Sequence, residues 1–211
     1  NVEWSTKLMY EWNSHINSVS INQNGDIYLV GKGRNAFEGT ALIAKGNSEG
    51  DSLRFRRYGG TLAKLYSSLP NGAGGVFAAG TTSDSGRFGS YDGYFLNIDA
   101  DGEEIWSQVY GDRNTDIFWD MIRTSDGGFA FAGESSSFGN GIQFYLVKTD
   151  SSGEEEWSTA YGDQYADVAL TLVQTPDGGF ALAGKTSYRG EDQLTADWML
   201  VRVNAEGEEL W

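Results

Sequence analysis

The 211-residue chain has no cysteine, one histidine and only two prolines. Without cysteine there is no disulfide framework, no thiolate zinc site and no thiol nucleophile. A single histidine excludes a histidine-rich metal site and leaves few proton shuttles. Positive charge is scarce as well: 15 Lys and Arg stand against 30 Asp and Glu, for a formal charge of -15 and a pI near 4.3. Such a surface repels a phosphate backbone, so nucleic acid is not an expected partner, and it adheres weakly to anionic membranes. No apolar run approaches the roughly 18–20 residues that cross a bilayer as a helix, so membrane insertion is not expected either. A long stripe of apolar residues at helical spacing is missing too.

What is present is glycine and aromatic side chains. There are 29 Gly, 7 Trp, 11 Tyr and 11 Phe, spread along the whole chain, which is too much apolar material for a disordered segment. Short apolar runs separated by turn residues suggest an all-β domain. The chain begins at Asn1 with neither Met nor a signal-like segment, and it reads as a processed mature chain or an excised piece. The acidic, cysteine-free, Gly- and Ser-rich composition suits an exported protein, secreted or held at a cell surface.

Self-comparison exposes an internal repeat. Asp126-Gly127-Gly128-Phe129-Ala130-Phe131-Ala132-Gly133 recurs as Asp177-Gly178-Gly179-Phe180-Ala181-Leu182-Ala183-Gly184. Weaker copies end at Gly80 and Gly31, so the closing glycines 31, 80, 133 and 184 are 49, 53 and 51 residues apart. A second marker, Trp106-Ser107-Gln108-Val109-Tyr110-Gly111-Asp112, recurs as Trp157-Ser158-Thr159-Ala160-Tyr161-Gly162-Asp163, with degenerate copies at Trp4 and Phe55 and a fresh start at Trp211. Two markers with one period define a unit of about 51 residues, repeated four times: 1–51, 52–102, 103–153 and 154–207, with 208–211 opening a further outer strand.

Four strands are legible in the third unit: D over 103–110, A over 116–124, B over 128–133 and C over 143–149. The A–B joints Ser125-Asp126-Gly127-Gly128 and Pro176-Asp177-Gly178-Gly179 read as tight hairpins, as do the C–D joints Asp99-Ala100-Asp101-Gly102, Asp150-Ser151-Ser152-Gly153 and Asn204-Ala205-Glu206-Gly207. Four antiparallel strands repeated at roughly 50 residues are the signature of a β-propeller blade. The expected fold is therefore an all-β β-propeller of four blades, with a stack of hairpins in a solenoid as the other architecture. The outer strand D occurs five times, which leaves three arrangements open: a closed four-bladed ring, a segment of a larger ring, or a ring or head-to-tail assembly completed by another copy.

The pattern Thr/Ser-x-Asp-Gly-Gly-Phe-Ala-x-Ala-Gly, then Ser-Phe-Gly, then Tyr-Leu-Val-Lys-Thr-Asp, then Gly-Glu-Glu-x-Trp-Ser-x-x-Tyr-Gly-Asp resembles the repeats of exported bacterial and archaeal β-propeller proteins. The resemblance covers the whole chain and is strongest over residues 85–211. It is similar to Kelch repeats in its paired glycines and its one late Trp per blade, but the Trp falls at a different distance from the glycines. The resemblance implies a module of a surface protein, an adhesin or a binding platform, and it carries no catalytic motif.

Recurring residues read first as structural. Trp4, Phe55, Trp106 and Trp157 are expected at one blade-to-blade packing position, and the Ala-x-Ala-Gly of strand B supplies small residues where sheets approach. The longer B–C and D–A connections fall on one face. Each B–C loop holds an aromatic residue followed by Gly: Phe37, Phe88, Phe138 and Tyr188. The D–A loops carry Asp112 with Asp116 and Asp163 with Asp167. Aromatics beside carboxylates, above all Asp112 and Asp163, suit a glycan held by stacking and hydrogen bonds, or a protein partner. Aspartates at i and i+4 (Asp112, Asp116, Asp163, Asp167) suit Ca²⁺, the one candidate cofactor. The competing structural readings are that each aromatic tucks under its own loop and each Asp caps a turn. The Asp-x-Asp-Gly at 99–102 starts like an EF-hand loop but lacks the downstream ligands.

A catalytic role finds little support, because 30 carboxylates make any acid–base pair uninformative. Lys64, Trp119 and Asp120 on strand A, with His15, Trp12 and Trp198, are the residues that break the repeat. The expectation is a non-catalytic binding or scaffold module whose long-loop face meets a glycan or protein partner. The alternatives are a hydrolase or lyase acting on carbohydrate, and a purely structural unit.

Overall fold

The structure is a computed structural model that describes residues 14–34, 39–49, 53–60, 62–83, 91–189 and 194–211. Among the described residues every regular element is a β-strand and there is no helix. The first sheet runs β1 (His15–Ile21), β2 (Ile27–Arg34), β3 (Gly39–Gly46) and β4 (Arg54–Tyr58). The second is β5 (Lys64–Pro70), β6 (Val76–Thr82), β7 (Asp92–Ile98) and β8 (Glu104–Tyr110). The third is β9 (Asp116–Arg123), β10 (Phe129–Ser135), β11 (Gln143–Thr149) and β12 (Glu155–Tyr161). The fourth has three strands, β13 (Ala166–Gln174), β14 (Phe180–Arg189) and β15 (Leu194–Val203). Each sheet is a meander whose order in space is its order in the chain.

The sheets take strands A, B and C from one period and strand D from the start of the next, so they run one strand out of step with the 51-residue units. Beside β15, residues 208–211 begin the missing D strand: Val203 bridges Glu209, and the Leu210 amide donates to the Arg202 carbonyl at 2.8 Å.

The middle strands explain the sheets' stability. β6 and β7 are buried along their whole length, and β10 and β11 nearly so. Strands apolar on both sides are strands covered on both faces. The first strands carry a bulge at one recurring place: the register slips between Ile16 and Ser18, between Leu65 and Ser67, and between Ala169 and Thr171, and in the third sheet at Trp119. Opposite each bulge stands the closing glycine. A Cβ on Gly31, Gly80, Gly133 or Gly184 would collide with the carbonyl oxygen of His15, Lys64, Ile117 or Val168. Glycine is needed there because the bulged strand leans into the space a side chain would fill.

The chain divides into two compact units, Asn1–Gly89 with Tyr94–Val109 and Ser90–Gly93 with Tyr110–Trp211. In the first unit, Tyr28, Val30 and Ile43 from one sheet share a buried cluster with Leu65, Leu96 and Ile98 from the next. In the second, Ala130, Ala132, Phe144 and Leu146 share a cluster with Ala169, Leu172, Phe180 and Val201, and Trp157 packs against it. Trp157 meets Phe180 edge-on at 6.0 Å, the sheet-to-sheet role expected of it. Each such ring taken out of water contributes roughly 2–3 kcal/mol.

The tyrosine of the second marker is a stitch between consecutive sheets, from the start of a 51-residue repeat to its end. Tyr58 donates its hydroxyl to the Gly102 carbonyl at 2.7 Å in the first unit. In the second unit Tyr110 does so to Gly153 at 2.6 Å and Tyr161 to Gly207 at 2.7 Å. Burial pushes the Tyr58 and Tyr161 hydroxyls up to about 12, and pushes Tyr110 up as well.

One repeat position needs correction. Lys148 pairs with Trp157, but Lys45 pairs with Arg54, so Arg54 and not Phe55 stands where Trp157 does. Phe55 is one residue further on and belongs to the opposite side of its strand. The spacing to the stitching tyrosine is four residues in both strands, but Tyr58 and Tyr110 stand 52 residues apart, so a fixed 51-residue step from Trp106 lands one residue late, on Phe55. Trp4 lies outside the described residues.

Candidate functional site

The D–A and B–C loops of the second unit form the part of the expected long-loop edge that the structure describes most fully. Two residues set its shape. Gly111 and Gly162 adopt positive φ, +128° and +125°, immediately before Asp112 and Asp163. A Cβ at either would press on the carboxylate of Asp116 or Asp167. The loop therefore turns back on itself, and the second aspartate of each pair closes it. Asp116 accepts the Asp112 amide at 3.0 Å, and Asp167 accepts the Asp163 amide at 3.1 Å.

Further bonds lock the third-sheet loop. The Ser137 hydroxyl donates to Asp116 at 2.7 Å, the Asn114 amide donates to the Ser137 hydroxyl at 3.1 Å, and the Ser136 amide donates to the Thr115 carbonyl at 2.8 Å. The D–A loop is thus clamped to the B–C loop. The neighbouring D–A loop joins in: Ile142 donates to the Tyr165 carbonyl at 3.1 Å, and Asp167 donates its amide to the Ile142 carbonyl at 2.8 Å. Asp116 is fully buried, and burial pushes its carboxyl up against the opposing pull of the Ser135 and Ser137 hydroxyls and the Asp112 amide.

The four aspartates thus divide into two kinds. Asp116 and Asp167 are inside and close the loops; Asp112 and Asp163 are exposed on the rim, where Asp163 also caps its own turn by accepting the Tyr165 amide at 2.8 Å. The second oxygen of Asp167 is buried and accepts no hydrogen bond. No group of three or more His, Asp or Glu side chains is placed to hold a metal ion among the described residues.

Of the four loop aromatics, Phe37 and Phe88 lie outside the described residues. The backbone of Tyr188 pairs with Thr195 inside a long β14–β15 hairpin, and its side chain lies outside the described part. Phe138 stacks on Tyr145 at 5.4 Å with 39 % of its surface exposed. One side of its ring lies against Tyr145 of β11 and the rest faces solvent.

Of the residues that break the repeat, Asp120, Trp119, Lys64 and His15 are placed by the strands they belong to. Asp120 accepts the Thr171 hydroxyl at 2.8 Å and the Leu172 amide at 3.3 Å, which joins two neighbouring sheets. Trp119 is the bulged residue of β9. Lys64 is pulled down by burial, with Lys32 adding to the effect. His15 opens β1 and pairs with Lys32. Trp12 lies outside the described residues, and Trp198 is 98 % exposed. Asp99 caps its own turn by accepting the amides of Asp101 and Glu103, both at 2.8 Å, so the stretch that starts like an EF-hand is a hairpin.

The sequence reading passes over a cation on the third strand of the sheet. Lys148, 4 % exposed, sits 2.8 Å from Asp126 and 2.7 Å from Glu156. At the matching place Arg202 pairs with Asp177 at 2.6 Å and Lys45 with Asp26 at 3.0 Å. The Lys148 ammonium and the Thr124 hydroxyl hold the Asp126 carboxyl well below the usual range. The signal lay in the Tyr-Leu-Val-Lys-Thr-Asp run, where a lysine interrupts an otherwise apolar strand. In the first unit this position borders a cleft of about 230 Å³, which is also lined by Arg54, Arg56, Tyr58 and Gly102.

No protein-family profile matches the chain, and no curated protein does.

Proposed function

We propose that the chain is a non-catalytic binding or scaffold module of an exported surface protein. Its sheets are blades of a β-propeller, and its long-loop edge contacts a glycan or protein partner. The observation that carries this reading is the repeated clamp: in two consecutive periods an inward aspartate fixes the D–A loop and places Asp112 or Asp163 on the exposed rim. Loops held rigid on a sheet scaffold bind with little ordering cost. Phe138 adds a half-exposed ring on the same edge, and ring faces beside carboxylates are the chemistry of sugar binding. The test is a glycan array with wild type and with the doubly substituted Phe138→Ala, Asp112→Asn chain. Glycan retention that drops at least about tenfold in the variant supports the reading. Retention that is equal in both would contradict it, and a protein captured through the same two residues would replace the glycan as ligand.

Calcium enters as a subsidiary proposal. The i, i+4 pairs, Asp112 with Asp116 on one loop and Asp163 with Asp167 on the next, are the ligands it would use, each pair by itself, and one oxygen of Asp167 is buried without a hydrogen bond. A melting temperature that does not move with either EDTA or Ca²⁺ removes it.

One observation favours the carbohydrate-active alternative. Glu134, on β10 beside the same loops, is pushed up by burial against the opposing pull of a Trp119 hydrogen bond and of Lys185, and a raised carboxyl is what a general acid requires. A Glu134→Gln chain that loses hydrolysis while keeping glycan retention would establish that reading in place of the first.

A further inference from the structure

Three Asn-Gly dipeptides occur in the chain, at 24–25, 71–72 and 140–141. A glycine after asparagine leaves its backbone nitrogen open to the asparagine side-chain carbon, since no Cβ shields it. The three are alike as sequence, and the fold treats them differently. Asn24 is exposed, but the Gly25 amide is committed to its own hairpin, donating to the Asn22 carbonyl at 3.0 Å. Asn71 uses its whole side chain to hold a turn. Its Nδ2 donates to Asn97 Oδ1 at 2.9 Å and to the Ile98 carbonyl at 2.8 Å, and its Oδ1 accepts the amides of Ala73 at 2.9 Å and Gly75 at 3.0 Å. Asn140 and Gly141 are both exposed. Neither the Asn140 side chain nor the Gly141 amide has a hydrogen bond among the described residues.

Packing also dictates which residue follows Asn140. Gly141 adopts φ +114°, and a Cβ there would stand 2.5 Å from the Gln164 carbonyl oxygen and 2.6 Å from that of Tyr165. The close approach of the neighbouring D–A loop therefore demands glycine at 141, and the clamp that shapes the long-loop edge leaves a reactive dipeptide at its margin.

We infer that Asn140 is a site of spontaneous covalent modification, which turns it into aspartate and isoaspartate. The Gly141 nitrogen bonds to Cγ of Asn140, the Cγ–Nδ2 bond breaks, and Nδ2 leaves as ammonia, taking the proton of the Gly141 amide. The product is a cyclic imide. Water opens it at Cγ to give aspartate, or at the main-chain carbonyl of residue 140 to give isoaspartate. Either product adds a negative charge to the rim that carries Asp112 and Asp163. Isoaspartate also lengthens the backbone by a carbon just ahead of the Ile142 clamp. The inference rests on hydrogen bonding and packing inside the second unit and is independent of any ligand of the long-loop edge.

The test is a time course in mildly alkaline buffer, where the attacking amide is more readily deprotonated. Peptide mapping with mass detection follows aspartate and isoaspartate at each Asn-Gly, for the folded chain and for the chain in denaturant. In the folded chain Asn140 converts at least about tenfold faster than Asn24 or Asn71, because the other two must first break the bonds that hold them. In denaturant the three rates converge to within about threefold, since those bonds are gone. Conversion at Asn140 that is no faster than at the other two in the folded chain overturns the proposal. The same order of rates in denaturant overturns it as well, because the preference would then come from flanking residues and not from the fold.

Discussion

At the scale of single residues, the repeat is held by side chains whose type recurs because one bond recurs. Tyr58, Tyr110 and Tyr161 each give a buried hydroxyl to a glycine carbonyl of the next hairpin. Removing one such donor strands a carbonyl. Tyr161→Phe is expected to lose about 1–2 kcal/mol in a denaturant titration. The same residues set an alkaline limit. The folded hydroxyls of Tyr58 and Tyr161 ionise at about 12, against 10.0 for a free tyrosine. Their contribution is complete below pH 10.0 and drains as pH rises through about 12. Thermal melts should fall from pH 10 upward, and Tyr161→Phe should fall less steeply. The Tyr-Gly-Asp marker was legible from repetition alone. The partner of its hydroxyl was not, because a carbonyl at the far end of the same repeat, in the following sheet, leaves no mark on residue type. The aspartates show a similar split: both members of each pair stand out in the sequence, but only burial separates the cap, Asp116, from the exposed Asp112.

At the scale of elements, three of the four A–B hairpins are pinned by an ion pair from the third strand of their own sheet, and in the second sheet Asn71 donates to Asn97 instead. The cation is Lys45, Lys148 or Arg202, and the acid is Asp26, Asp126 or Asp177. Burial alone would pull Lys148 down, but the Asp126 and Glu156 carboxylates outweigh it and hold it up. Asp126 is depressed in the fold, so the pair stabilises above the ordinary carboxylate value of 3.8 and loses that contribution as pH falls below it. Lys148→Met is therefore expected to lose about 1 kcal/mol at pH 7, since both carboxylates are half exposed, and the deficit should begin to narrow only below 3.8 and shrink progressively toward about pH 2. Melts of both chains along that pH series check this, and a deficit that does not shrink in acid would assign the loss to packing. Strand existence was readable from the apolar runs: strand C over 143–149 coincides with β11. The four first-strand bulges were not readable, because the extra residue is Asn17, Tyr66, Trp119 or Leu170 and shares no chemistry. Only the glycine opposite, which has to lack a side chain, repeats.

At the scale of the molecule, four like-built sheets follow one another, and within each unit a sheet rests on the next through the same strand positions. The number of repeats and the strand count per repeat followed from periodicity. Which apolar side chains a neighbouring sheet covers did not, because burial is a property of neighbours and not of residue type. The central claim is that a third-strand residue of one sheet sits opposite a first-strand residue of the next, large against small. Exchanging the sizes at one such pair tests it most directly. Phe144→Ala opens a cavity and is expected to cost about 3–5 kcal/mol, and Ala169→Phe overfills the same space at about 1–3 kcal/mol. The double variant restores the small-over-large order seen at Gly93 and Phe118. Denaturant titration of the four chains should find the double variant more stable than the sum of the single losses by at least about 2 kcal/mol. Strict additivity of the two losses would mean that these side chains do not face each other, and would contradict the account.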